Sequence, residues 1–408
     1  MSIDRWIVRG VAVAAAWLGM AGSALAATEI VVWHAYRGNE KSAFEKVVDM
    51  FNKSQGKIVA KTLAVPFDAY ADKITAAVPR GKGPDVFIFA QDRLGGWVEG
   101  GQTVEPIDFY VEDETVASLV PGMMKAVTYR DTIYGLPLNY KSIAMIYNTA
   151  MVKSPPKTTG ELVRMAKEMT NAASGRFGLA YEYSNYFFHA ALMNAFGGQV
   201  FADGAKPVID SKQNVAAINL MMKWFKQDGI LPAEPSSTLV STLFNEAKAA
   251  IVFSGPWFLG EVSDSVKYAI APLPKVDEAG GAPMRPWLTV EGIYVSAASK
   301  AKEEAYELAR YLISTEAALV LALEGGQLPT SKAAYNDPRV AKNPTLMGFR
   351  AQLDTAVPMP NYAEMTLMWS PVTTAMNKIV KGSATPEQAL AEAQATVIDS
   401  IGKLRRGK

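Results

Sequence analysis

The 408-residue chain contains no cysteine and only two histidines, His34 and His189. Without cysteine there can be no disulfide framework, no thiolate metal site, no redox thiol and no lipid attached at a cysteine behind a leader. Two histidines without cysteine also argue against a zinc centre and against Ser-His or Cys-His nucleophilic catalysis. The phosphate-binding loop, the dinucleotide fingerprint, the G-x-S-x-G elbow and the H-E-x-x-H helix are all missing. No cofactor or metal is implied. Charge is just as unbiased, since 41 Lys and Arg against 40 Asp and Glu leave +1. A near-neutral chain has no overall field to hold it on nucleic acid or an anionic membrane. The basic ending KLRRGK is too short to change that and reads as a solvated helix end.

Long apolar runs are scarce as well, and the one present is at the start. Arg5 and Arg9 form a positive leader region, Val11 to Ala21 is apolar, and Ala24-Leu25-Ala26 has the spacing of a cleavage site. The stretch thins into Gly22-Ser23, short of the roughly 20 residues a membrane span requires. The pattern predicts a signal peptide over residues 1–26. With no lipoprotein cysteine, a free exported protein is expected in the periplasm.

Length favours two domains over one core. After the leader, Ile30-Val31-Val32-Trp33 is a continuous apolar run of the kind found in strands covered on both faces. Asn39 to Gln55 follows, with Phe44, Val47, Val48 and Phe51 at helical spacing. Ile58 to Val65 reads as a strand, Phe67 to Val78 as a helix and Val86 to Phe89 as a third strand. The alternation predicts an α/β protein with helix-covered, mostly parallel sheets. Further helices are expected at Val215 to Lys226, Ser241 to Ala247 and Lys302 to Ile313, and strands at Ala249 to Phe253 and Gly292 to Ala297. Thr385-Pro386-Glu387-Gln388 is a capping-box start for a last helix buried along Leu390, Val397, Ile398 and Ile401. The paired methionines, such as Met221-Met222, suit core gaps better than metal.

In such sheets ligands sit beyond the carboxyl ends of the strands. That draws attention to His34 through Gly38 after the first strand and to Gln91-Asp92-Arg93 after the third. His34 has two readings there, a ligand donor or a local loop hydrogen bond. Aromatic residues are the richest remaining signal: YEYSNYFF (181–188), Gly255-Pro256-Trp257-Phe258 after a strand, and Trp369. Most such rings pack a core. An aromatic cleft edged with polar groups, however, suits sugars, which offer C–H faces to rings and hydroxyls to paired donors and acceptors.

Several segments in order complete the reading. They are GPDVFIFAQDRLGGWVEGG (83–101), IYGLPLNYKSIAMIYN (133–148), Pro155-Pro156-Lys157-Thr158, Ser254-Gly255-Pro256-Trp257, Met359-Pro360-Asn361 through Trp369, and TPEQALAEAQ. Together they resemble the family 1 extracellular solute-binding proteins of ABC transporters, in particular the maltose/maltodextrin-binding branch. The resemblance implies two α/β lobes joined by crossing strands and closing on ligand about a hinge, the type II-like periplasmic-binding-protein fold. Lobe one is then expected over residues 28–138 plus 290–335, and lobe two over 139–289 plus 336–408.

Carried over residue by residue, the resemblance implies Asp92 and Arg93 as clamps on sugar hydroxyls, with Gln91 beside them. Trp257 and Trp369 match stacking tryptophans, and Phe187 and Phe188 fall where further aromatics line the cleft. The chain also departs from the pattern. Lys141, next to Tyr140, stands in place of a hinge-region acid, and Asn185 in place of a second acid. Tyr36-Arg37-Gly38 replaces an Asp-Lys pair, with Arg37 the remaining cation, and Glu291 in the crossing segment returns a carboxylate.

The resulting expectation is a non-enzymatic, monomeric receptor. It would capture a maltodextrin-like oligosaccharide and deliver it to an inner-membrane ABC permease and its ATPase, with no nucleic-acid partner. Two rivals stay open: a same-fold receptor for a polyamine or organic anion, and an exported glycosidase using Asp92 with Glu182 or Glu291.

Overall fold

The computed structural model describes residues 27–406, so the leader predicted over 1–26 lies outside the described residues. The principal elements of the first part are Thr28–His34 (β1), Gly38–Ser54 (α1), Ile58–Ala64 (β2), Phe67–Ala77 (α2), Val86–Ala90 (β3) and Leu94–Gly100 (α3). Gly135–Lys141 (β4) is followed at once by Ala144–Asn148 (β5). Thr159–Met169 (α4), Phe177–Ala180 (β6), Tyr186–Ala195 (α5), Lys212–Met222 (α6), Ser237–Asn245 (α7), Ala249–Ser254 (β7) and Tyr268–Ala271 (β8) come next. The chain then runs through Trp287–Val295 (β9), Lys302–Leu312 (α8), Thr315–Leu323 (α9) and Leu328–Pro329 (β10). It ends with Pro344–Gln352 (α10), Val357–Pro358 (β11), Met365–Lys381 (α11) and Pro386–Arg406 (α12).

Two main sheets result. One has the order β10-β4-β9-β3-β1-β2, with β11 paired to the start of β9. The other is β8-β5-β7-β6. The apolar run of β1 is explained by cover on both faces. Ile30 and Val32 pack with Phe44, Val47, Val48 and Phe51 of α1, while Trp33 on the opposite face joins Tyr70 and Phe87. Contact between the sheets is continuous near the crossings, where Tyr140 of β4 shares one apolar cluster with Ala144, Ile146 and Val252. A larger separate core lies behind the second sheet, built on Tyr181, Trp224, Met221, Met365 and Met368, so these methionines do fill core space.

The mostly parallel sheets expected from the sequence are mixed. β1 pairs in parallel with β2 and β3, and β7 with β6. The later strands β9, β4, β10, β5 and β8 all join in antiparallel fashion. The reason is topological: these strands run between or return from the two sheets, and a returning strand enters in the opposite direction.

The capping box of α12 forms as predicted. Gln388 N donates to Thr385 Oγ1 (3.2 Å) and Thr385 N to Gln388 Oε1 (3.3 Å). Leu390, Val397 and Ile401 are buried, but Ile398 is 53% exposed. One residue turns a helix by about 100°, so Ile398 leaves the stripe that Val397 occupies. No helix among the described residues is long and apolar enough to cross a membrane.

Candidate ligand cleft

The parallel strands β1, β2 and β3 end along one edge of the first sheet, and the loops after them face the second lobe. Two side-chain contacts bridge the gap. Arg37 Nη2 lies 2.9 Å from Glu261 Oε1, in the turn following β7. Trp369 Nε1 on α11 donates to Asp92 Oδ2 at 2.9 Å. The backbone is also close here, since a Cβ on Gly38 would sit 3.5 Å from the Gly260 carbonyl oxygen.

On the second-lobe side the aromatic rings form a connected wall. Phe187 lies 5.8 Å from Phe188, 6.1 Å from Trp257 and 6.3 Å from Trp287, and Trp287 lies 5.9 Å from Trp369. Phe188 and Trp287 are buried behind the wall, whereas Phe187, Trp257 and Trp369 keep accessible surface. α5 presents its two phenylalanines because Asn185 caps it, accepting from Phe187 N at 3.0 Å. Gly255 sets the pose of Trp257: a Cβ there would lie 2.1 Å from the indole ring, so only glycine lets the ring fold over the backbone.

Buried charges form the floor, where the strands cross. Lys141 Nζ is 3.0 Å from Glu40 and 3.1 Å from Glu291, and 6.0 Å from the Trp257 ring. The Tyr36 hydroxyl donates to Glu291 at 2.6 Å, and Asn139 donates to Glu291 at 2.9 Å and to Gln327 at 3.0 Å. Burial works against the Lys141 charge, but the facing carboxylates of Glu291 and Glu40 outweigh it and hold its pKa above the ordinary lysine value. Burial raises the Glu40 carboxyl, and Lys141 offsets part of that rise. Burial also raises the Tyr36 phenol, helped by Glu291.

Nearer the mouth, burial pushes the Asp92 carboxyl up to about 6, opposed by Arg93 and by the Trp369 N–H. Arg93 Nε stands 3.5 Å from Asp92. That separation is loose for a hydrogen bond, which leaves guanidinium donors for a ligand. Glu182, facing Arg37 and Glu261, is pushed by burial up to about 7.

The structure thus gathers Asp92, Arg93, Phe187, Phe188, Trp257 and Trp369 around one cleft, with Lys141 and Glu291 below them. Four expected ligand contacts have other partners. Gln91 does not face the cleft: its amide donates to the Met359 carbonyl (3.1 Å) and accepts from Val290 N (2.7 Å), tying two crossing segments together. Tyr140 points the other way, because neighbours on a strand alternate faces and Asn139 and Lys141 take the cleft side. Its hydroxyl pairs with that of Tyr335 in the core. Arg37 is engaged with Glu261, and the Asn185 side-chain oxygen Oδ1 serves as a helix cap. His34 resolves as a local loop contact, accepting from Tyr36 N at 3.1 Å.

Residues missed by the sequence reading include Trp287, at the start of crossing strand β9, and the network members Glu40, Asn139 and Gln327. The Trp after Pro286 was a visible signal. The network was not, since its members are scattered from residue 36 to 327.

The chain belongs to the bacterial extracellular solute-binding protein family, which it matches over residues 37–319. It is 29% identical to a maltotriose-binding protein of Pyrococcus abyssi, over 86% of this chain and 78% of that relative. Identity is 28% to a galactooligosaccharide-binding protein of Bacillus subtilis, over 93% of this chain and 91% of the relative. Among solved structures, a cyclo/maltodextrin-binding protein complexed with maltotetraose superimposes with a TM-score of 0.76 at 32% identity, covering 91% of this chain and 97% of the other.

Proposed function

We propose that this protein is the substrate-capturing component of a carbohydrate ABC importer, taking a maltodextrin-like oligosaccharide between its lobes. The observation that carries the reading is the wall of partly exposed Phe187, Trp257 and Trp369, backed by the buried Trp287 and facing the Asp92–Arg93 pair across the cleft. Rings supply stacking faces for sugar C–H groups, and the facing polar pair supplies one acceptor and several donors for hydroxyls. Relatives named for maltotriose and galactooligosaccharide binding support an oligosaccharide as ligand. Lobe one over 28–138 plus 290–335 and lobe two over 139–289 plus 336–408 then close as two bodies. Sugar stabilises the closed form by touching both. In this reading the protein is exported to the periplasm as a monomer, catalyses nothing, and hands its cargo to an inner-membrane permease driven by its ATPase.

The rival readings have less support. A polyamine site needs several free carboxylates, but Glu40 and Glu291 are both largely buried and share Lys141 as their ion-pair partner. A glycosidase needs an acid and a base free to reach the scissile bond. Asp92 is bonded to Trp369, and Glu291 to Lys141, Tyr36 and Asn139.

The deciding experiment is a thermal-shift series with maltose through maltohexaose, galactooligosaccharides, spermidine and citrate. A ligand at 100 times its Kd adds about 2.7 kcal/mol of stability. A melting shift for maltooligosaccharides alone is expected; no shift with any sugar, or release of reducing ends by the pure protein, overturns the reading.

Asp92 makes affinity pH-dependent. A sugar hydroxyl donates more strongly to the ionised carboxylate than to the protonated acid, so binding is expected to weaken as pH falls from 7 through about 6. Stability has the opposite sign. A carboxyl raised by burial contributes stability that is present below its ordinary value and lost as pH rises through about 6. Asp92→Asn is therefore expected to bind sugar more weakly, with a flattened pH profile, yet to melt no lower than the native protein at pH 8. Calorimetric titration and melting curves at pH 5.5 and 8 test both halves. A variant that binds normally, or loses stability at pH 8, contradicts the assignment.

A further inference from the structure

One exposed ring lies outside the aromatic wall. Phe67, at the first position of α2, is 64% exposed. It is held flat against Phe89 of β3, with centroids 5.5 Å apart and planes 20° from parallel. Burying one face and presenting the other is unusual for a surface phenylalanine, which gains nothing from exposed apolar area. Its position is fixed: Pro66 limits the backbone before it, and Val65 N donates to the His34 carbonyl at 2.8 Å.

The ring stands at the carboxyl end of β2, on the same sheet edge as Arg37 and the Asp92 loop, both of which reach the second lobe. β2 is the outermost strand, three positions from β9 in the order β9-β3-β1-β2. At about 4.8 Å per strand, Phe67 is rooted about 14 Å from the crossing strand that carries Trp287 and Glu291. The cleft therefore begins at the Lys141 floor and runs outward along the strand ends to a rim that presents the exposed Phe67 face. A single flat aromatic face, held by stacking at the strand-end rim, is the chemistry of a sugar subsite. A protein partner would call for a wider apolar patch.

We propose that Phe67 is a lobe-one stacking face for an outer unit of the oligosaccharide, making the protein a receptor for chains longer than a disaccharide. The proposal rests on the carbohydrate reading and deepens it. Lobe two then holds the inner units on its aromatic wall, and Phe67 takes the next unit from the opposite side, so longer chains are gripped by rings on both lobes.

The test is calorimetric titration of the full mature chain and its Phe67→Ala variant with maltose, maltotriose, maltotetraose and maltohexaose. Stacking of this kind amounts to about 3- to 10-fold in affinity. That loss is expected for maltotetraose and maltohexaose, with maltose unchanged. Phe67→Trp is expected to restore the affinity, whereas Phe67→Leu, apolar but not flat, is not. Phe109→Ala, at an exposed ring outside the strand-end loops, serves as the surface control and is expected to change nothing. Equal losses for every sugar, no loss for any, or rescue by leucine overturn the Phe67 assignment while leaving the carbohydrate reading in place. Failure of the unaltered chain to bind any of the four sugars overturns both.

Discussion

Replacing Trp257 with alanine is expected to weaken oligosaccharide binding about 30-fold or more, the size of a hot-spot loss of 2 kcal/mol. The residue is central by position. Its ring touches Phe187 and Phe188 on one side and stands 6.0 Å from the Lys141 ammonium on the other. Removing it therefore takes away a stacking face and opens the wall between the phenylalanines and the floor. The side chain is only partly buried, and the core behind it rests on Phe253 and Phe258, so the fold is expected to survive. Calorimetric titration with maltotriose, beside a far-ultraviolet circular dichroism melt of the empty protein, separates the two effects. An affinity within threefold of the native protein would mean that the wall is packing and the sugar sits elsewhere.

The second large effect concerns stability. Lys141→Ala removes the only cation among the described residues within ion-pair distance of Glu40 and Glu291, leaving both carboxylates buried without it. Breaking a buried pair by deleting one partner costs about 3–5 kcal/mol, because an uncompensated charge stays behind. The loss has a definite pH signature. Burial already raises the Glu40 carboxyl, and loss of Lys141 raises it further. A raised carboxyl is protonated more readily in the folded state, so its destabilising ionisation grows as pH rises. Lys141→Ala is thus expected to be much less stable than the native protein at pH 8 and to recover part of the difference near pH 5. Urea unfolding at the two pH values measures it. A pH-independent loss would point to packing alone. Lys141→Met, which keeps the stem and drops the charge, is expected to behave like the alanine variant in its pH response.

Much of the fold was legible in the chain because its signals are local. The β1 run, the α1 stripe and the Thr385–Gln388 capping box each rest on residues within one element, and each forms. The strand directions were not, because whether β4 and β9 run with or against β3 depends on where the chain crosses between sheets. Site positions followed the same rule. Trp257 and Trp369 were readable as rings next to strand ends or turns. Gln91 and Tyr140 sat beside true cleft residues in sequence, yet local geometry aimed them elsewhere: one toward crossing backbone, the other across the strand into the core. The charged floor needed Glu40, Asn139, Lys141, Glu291 and Gln327 to converge from four distant segments, which no spacing reveals.

The Arg37–Glu261 pair bears on how the importer would tell a full receptor from an empty one. It joins the two rims through protein side chains alone, so its contribution to closure does not depend on a ligand. Its side chains are 59% and 30% exposed, and an exposed pair of this kind is worth only about 0.2–1 kcal/mol and weakens with salt. At that strength it shifts the balance between open and closed forms by no more than about fivefold, far short of the roughly 10⁴-fold bias that moves a population from one state to the other. Buried and strengthened, the same pair would fill the queue at the permease with empty vessels. Its exposure to water is what keeps the delivery signal truthful.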